Sequence, residues 1–265
     1  MKTIAVTDPD DPRIEHFRDV QERDIVGRGG FIAEGKVVID HLLASPRFAA
    51  TSLLVARSRI AGVQERFAEF PQLGQQIPVY VAEQAVMDRI AGFAIHRGVL
   101  AHGQRLSEQA PLELGDGPIL VAAGISNHDN MGSLFRNAAA FGVSAVLLDD
   151  TSCDPLYRKA LRVSVGTVLS VPFFRAGNVR DIFDILSNAG FQCVALSPGG
   201  TVHLDEWQPA DRVAVFFGSE GQGLPQYLLQ SIDTLTIAMA PGLDSLNVSA
   251  AASITLHHIY TSKRP

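Results

Sequence analysis

Cysteine is scarce in this chain: among 265 residues there are two, Cys153 and Cys193. Neither has a metal-ligand partner at short spacing, which excludes a zinc finger, and two distant thiols make no disulfide framework. No His/Cys/carboxylate cluster suggests any other metal. Long apolar runs are also missing. None reaches the ~18–20 residues that a membrane span needs. The opening, Met1-Lys-Thr-Ile-Ala-Val-Thr-Asp-Pro-Asp10, meets an acidic residue too early for a secretory signal. The expectation is a soluble, cytoplasmic protein with reduced thiols and no membrane partner. Basic charge is in deficit, with 22 Lys+Arg against 28 Asp+Glu, so the chain is not coated in basic surface. Internal repeats and low-complexity segments are absent as well.

What is present is apolar material, at 46% of residues, enough for one large domain or two ordinary ones. Charge divides unevenly. Residues 1–110 hold 13 basic against 14 acidic residues, and residues 111–265 hold 9 against 14. Arg13, Arg18, Arg23, Arg28, Arg47, Arg57, Arg59 and Arg66 gather in the first part, as a local basic face or as an ordinary solvated surface.

The first part alternates strand and helix signals. Ile14 to Val26 has helical spacing, and Gly27, Gly29 and Gly30 end it. No strand precedes these glycines, so they read as a helix stop and not as a phosphate loop. Strands follow at Phe31–Gly35, Thr51–Ala56, Ile77–Val81 and Gly98–Ala101, with helices at Val37–Leu43, Val63–Phe70 and Glu83–Ile90. This pattern predicts a small α/β sandwich. Pro111 to Pro118 reads as a boundary loop, giving domains over 1–110 and 111–265.

The second part opens on a buried-type strand, Pro118–Gly124. Ile125 to Gly132 leads into a helix whose core face is Met131, Leu134, Phe135 and Ala138, capped by Asp129 or Asn130. Arg136 lies off that face. The strand Gly142–Leu148 completes a βαβ unit. A parallel sheet follows, with a site outside the carboxyl ends of its strands. Further on come a helix over Asp154–Val163, a short strand over Val168–Pro172, an amphipathic helix over Asn178–Asn188, and strands at Phe191–Leu196 and Arg212–Phe217. The last runs into Gly218-Ser-Glu-Gly-Gln-Gly-Leu-Pro225, whose glycines let backbone approach a ligand closely. A strand end at Ile232–Met239 breaks at Pro241 and Gly242. A small-sided helix then begins near Ala250, with Ser245 a candidate N-cap.

Three stretches share a family pattern. Asn130-Met-Gly-Ser-Leu-Phe-Arg136 resembles the first motif of the SpoU/TrmH ribose methyltransferases of the SPOUT superfamily. Phe217-Gly-Ser-Glu-Gly-Gln-Gly223 resembles the second. Ile237-Ala-Met239, continued by Ser245-Leu-Asn-Val-Ser249, resembles the third. All three stand at strand ends, in family order, and the likeness covers about residues 118–262. Phe31-Ile-Ala-Glu-Gly-Lys-Val-Val38 resembles, more weakly, the ribosomal-protein-like substrate-binding domain often placed ahead of the catalytic one.

The resemblance implies an α/β fold with an N-terminal substrate-binding domain and a C-terminal α/β-knot, a trefoil-knotted parallel sheet. It implies a homodimer packed through the catalytic domains. It also implies S-adenosylmethionine as cofactor, in a pocket lined by Gly218, Ile237, Met239 and Leu246. The expected reaction is 2′-O-methylation of a ribose in RNA, ribosomal or transfer, with a lean to ribosomal. Arg136 is assigned to the reacting hydroxyl, Asn130 to orienting Arg136 or the ribose, Glu220 to the loop or the arginine, and Ser245 and Asn247 to substrate or cofactor. Two departures stand out: Ala238 replaces the usual proline of the third motif, and Ser126-Asn-His-Asp129 replaces a proline-containing entry to the first. Other readings are a catalytically idle RNA-binding knot, methyl transfer to a base, and a Rossmann-like dehydrogenase. The last lacks the Gly-x-Gly-x-x-Gly spacing after an early strand.

Overall fold

The computed structural model describes residues 2–18, 30–69, 77–92, 95, 97–106 and 114–263. In chain order the first elements are β1 (Thr3–Ala5), β2 (Gly30–Glu34), α1 (Lys36–Ala44), β3 (Phe48–Ala56), α2 (Ile60–Ala68), β4 (Val79–Ala82), α3 (Gln84–Ala91) and β5 (Val99–Arg105). Then come β6 (Ile119–Ala122), α4 (His128–Ala140), β7 (Ala145–Leu148), α5 (Arg158–Val163), β8 (Phe173–Arg175), α6 (Val179–Asn188) and β9 (Gln192–Leu196). The chain finishes with β10 (Val202–His203), β11 (Val213–Phe217), α7 (Gln226–Leu229), β12 (Asp233–Thr236) and α8 (Val248–Ser262). These form two compact units: Met1–Ala110 with Leu156–Ser170, and Pro111–Pro155 with Val171–Pro265.

The first unit is built on a mixed sheet ordered β1-β4-β3-β5-β2. β1, β4 and β3 run parallel, while β5 is antiparallel to both β3 and β2. Its core includes Ile14, Phe17, Ile32, Leu54, Met87 and Ile90. Ile14 and Phe17 sit in a 3-10 turn, Pro12–Phe17, and not in the start of an α-helix. Proline at its first position and the Asp11 carboxylate on the Arg13 amide favour that tight start. Residues 19–26 of the expected Ile14–Val26 helix, and Gly27 and Gly29, lie outside the described residues.

The segment Leu156–Ser170 belongs to this first unit, although the sequence places it inside the second half. Glu34, 7% exposed, explains part of the packing. Its buried carboxylate receives Arg158 Nη1 at 2.8 Å, and a buried charge demands such a partner. Ser45 Oγ donates to the Leu169 carbonyl at 2.9 Å. The expected helix over Asp154–Val163 is shorter, beginning at Arg158. In place of the expected strand at Val168–Pro172 there is a 3-10 turn, Thr167–Leu169, and β8 begins only at Phe173.

The second unit carries a seven-stranded sheet ordered β10-β12-β9-β11-β6-β7-β8, every pair parallel. Its core packs Ile119, Val121, Leu147, Ile182, Leu186 and Phe216. Apolar runs such as Ile119–Ala122 and Val213–Phe217 are buried on both faces, as central parallel strands require. The chain leaves β6 towards β7 and β8 on one side, then returns to β9 and β11 on the other. The order therefore reverses between β6 and β11, and loops leaving these neighbours diverge to open a crevice.

Candidate active site

The loops after β6, β11 and β12 form the crevice. The Ala123 amide donates to the Phe217 carbonyl at 2.9 Å, carrying the pairing of β6 and β11 one residue past β6. Beyond it, Gly124 and Ile125 are held by the turn after β7. Asp149, 4% exposed, accepts from the Gly124 amide at 3.0 Å, from Thr151 Oγ1 at 2.5 Å, and from both the amide and hydroxyl of Ser152. Burial alone would push this carboxyl up. The Gly124 amide, Ser152 and Thr151 outweigh it, and the Asp149 pKa lies below its ordinary value. The Ser152 hydroxyl is also 3.0 Å from the Ile125 amide. The loop entering α4 is thus fixed by a side-chain cluster that the sequence analysis did not single out. The run Asp149-Asp-Thr-Ser152 at a strand end was its visible signal.

α4 begins with Asn127 as N-cap, its Oδ1 accepting from the amides of Asp129 and Asn130, and not with Asp129 or Asn130 themselves. This frees Asn130, which is 8% exposed, to use its side chain elsewhere. Asn130 Nδ2 donates to Glu220 Oε1 at 2.6 Å. Asn247 Nδ2 donates to both Asn130 Oδ1 and Glu220 Oε1, each at 2.9 Å. One residue from each of the three loops therefore meets in a single network. Asn247, and not Ser245, caps α8, through Oδ1 on the Ser249 amide at 2.9 Å. Asn137 on α4 adds a further tie, donating to the Ser249 carbonyl at 2.7 Å.

Beside the network lies a cavity of about 490 Å³, within the range typical of small-ligand pockets. Residues 218–224 wall one side. Ile237, Met239, Ser245 and Leu246 stand on another, and Leu196, Ser197 and Pro198 after β9 contribute as well. Gly218 is required by space. A Cβ there would lie 2.5 Å from the Gly223 carbonyl carbon and 2.6 Å from the Leu224 amide nitrogen, so the loop folds onto bare backbone. Glu220 joins both the cavity lining and the network. Arg136 does neither. It is exposed on α4, away from the buried face of Met131, Leu134, Phe135 and Ala138, and has no hydrogen-bond or ion-pair partner among the described residues. Asp244 and Ser197 line the cavity without having been foreseen.

The model of the SpoU rRNA methylase family matches residues 117–257, more than half of the chain and all three loops. The chain belongs to the SpoU methylase family. A protein of Mycobacterium tuberculosis named an uncharacterized tRNA/rRNA methyltransferase is 38% identical over 264 residues, covering 95% of this chain and 90% of its own. Among solved structures, an S-adenosylmethionine-bound rRNA methyltransferase from Sinorhizobium meliloti matches with a TM-score of 0.83 at 24% identity, over 99% of both chains. A crystallised RNA 2′-O ribose methyltransferase matches at 0.80 and 25% identity, over 98% of this chain and 99% of its own. The parallel-sheet α/β fold is therefore that of solved RNA methyltransferase structures.

Proposed function

We propose that this chain transfers a methyl group from S-adenosylmethionine to a ribose 2′-hydroxyl in structured RNA, ribosomal RNA being favoured over transfer RNA. The observation that carries the reading is the Asn130–Glu220–Asn247 network beside the cavity, which joins the three motif loops. The cavity suits the cofactor. It offers apolar walls at Leu196, Leu224, Ile237 and Val248 for an adenine, and close backbone at Gly218 for polar edges. The cofactor reading is also supported by the family membership and by the bound S-adenosylmethionine of the Sinorhizobium enzyme.

When bound, that cofactor supplies an electrophilic methyl on a sulfonium. The chain's own residues do the rest. Gly218, Ile237, Met239 and Leu246 hold the cofactor. Asn130 and Asn247 fix Glu220 and with it the loop Gly218–Gly223. Ser245, on the cavity wall, is free to bond ribose or cofactor. The Arg136 guanidinium favours the alkoxide character of the attacking hydroxyl by its charge. Positioning for in-line transfer supplies much of the acceleration.

The same reading includes a trefoil knot at the third motif. It is supported by the family membership. It also includes a homodimer through residues 111–265 and RNA binding by residues 1–110. The exposed Ile254 on α8 fits a dimer face.

The test is mass mapping of 2′-O-methyl nucleotides in total RNA from cells with and without this gene. Loss of one ribose methylation is the expected result. Loss of a base methylation instead would move the reaction to a base, and no loss of any kind, with no turnover on RNA in vitro, would leave an idle RNA-binding protein.

A further inference from the structure

The cavity is one-sided in charge. Two carboxylates, Glu220 and Asp244, line it, and among the described residues no lysine, arginine or histidine does. A site for nucleoside polyphosphates would show the opposite sign. The two carboxylates also differ in their ties. Glu220 is bonded to the amides of Asn130 and Asn247, so its charge is anchored to the wall. Asp244 is exposed and has no hydrogen-bond or ion-pair partner among the described residues. Three peptide steps separate it from Asn247, a reach of at most ~10 Å, so it stands near the same network.

Methyl transfer changes the charge of what occupies this cavity. At neutral pH the donor carries an ammonium, a carboxylate and a sulfonium, and so one net positive charge. The spent product, S-adenosylhomocysteine, is a thioether with no net charge. We propose that Asp244, backed by Glu220, makes the cavity prefer the cationic donor to its neutral product, so that discharge of the sulfur weakens binding and promotes exchange. This rests on the cofactor reading above. The preference belongs to the pocket and does not require RNA.

The test is calorimetric titration of the full chain with S-adenosylmethionine, S-adenosylhomocysteine and sinefungin, an analogue bearing an ammonium where the sulfonium stands. Asp244→Asn is expected to weaken the two cationic ligands by about three- to tenfold, the scale of a partly exposed charge pair, and to leave the neutral product unchanged. Asp244→Glu restores the preference, and raising salt erodes it. Equal weakening of all three ligands, or of none, overturns the proposal while leaving the cofactor reading intact. Failure of the unaltered chain to bind any of the three overturns the cofactor reading itself, and this inference with it.

Discussion

Asn247 has two jobs on two ends of one side chain, and substitution can separate them. Its Oδ1 caps α8 through the Ser249 amide, and its Nδ2 bonds Asn130 and Glu220. Asn247→Ala removes both. Asn247→Ser keeps a good cap but cannot span to the network. The cap is worth about 1 kcal/mol. The two donated bonds, one to a neutral oxygen and one to a carboxylate, together contribute about 2 kcal/mol at the low end of their ranges, which suits an exposed residue. If that organisation is expressed in cofactor binding, both variants lose about thirtyfold in affinity. They differ in stability, with the alanine variant melting roughly 2–4 °C below the serine variant. Calorimetric titration with S-adenosylmethionine and thermal unfolding read the two effects independently. Serine as destabilising as alanine would refute the cap argument. Serine binding cofactor like the unaltered chain would refute the claim that the network shapes the cavity.

Other consequences follow from single contacts. Arg136→Ala leaves cofactor binding unchanged, since Arg136 does not line the cavity, while methyl transfer falls by at least ~10²; full activity in a turnover assay would remove Arg136 from the mechanism. Gly218→Ala places a methyl against the backbone of Gly223 and Leu224, so the loop opens and cofactor affinity drops about tenfold or more in the same titration. His102, 5% exposed and stacked on His16 at 4.5 Å, is pushed down to about 4 by burial and by the neighbouring histidine. The unfolded imidazole titrates near 6.5, so between about pH 6.5 and 4 the unfolded chain binds more protons and stability falls as pH falls. The loss is at most about 3 kcal/mol. Urea unfolding across that window detects it, and His102→Gln flattens the profile.

Much of the second unit is legible because its strands are buried runs bounded by turn residues. Ile119–Ala122, Ala145–Leu148 and Val213–Phe217 sit inside the stretches the sequence marks, and their parallel pairing follows from the βαβ spacing. β1 and β10 escape notice because three and two residues carry no periodicity. Val168 and Leu169 mislead for another reason. A short apolar run signals burial, not conformation, and the left-handed Gly166 before it turns the chain into a 3-10 turn. Leu156–Ser170 could not be allotted to the first unit from composition, since the pull comes from a buried carboxylate at Glu34, far away in the chain.

Both helix caps, Asn127 and Asn247, differ from the residues the sequence suggests, for a reason that bears on the site. Asn, Asp and Ser are nearly equal as caps, so local energy does not choose among Asn127, Asp129 and Asn130, or between Ser245 and Asn247. The tertiary network chooses. A cap at Ser245 would leave Asn247 inside the helix, its amide competing with backbone. A cap at Asn247 fixes the carboxamide plane through Oδ1 and thereby aims Nδ2 at partners 117 and 27 residues away, Asn130 and Glu220. A hydroxyl cap has no second arm with which to do this. The helix start and the site are therefore one construction, and asparagine, unlike serine, serves both halves of it at once.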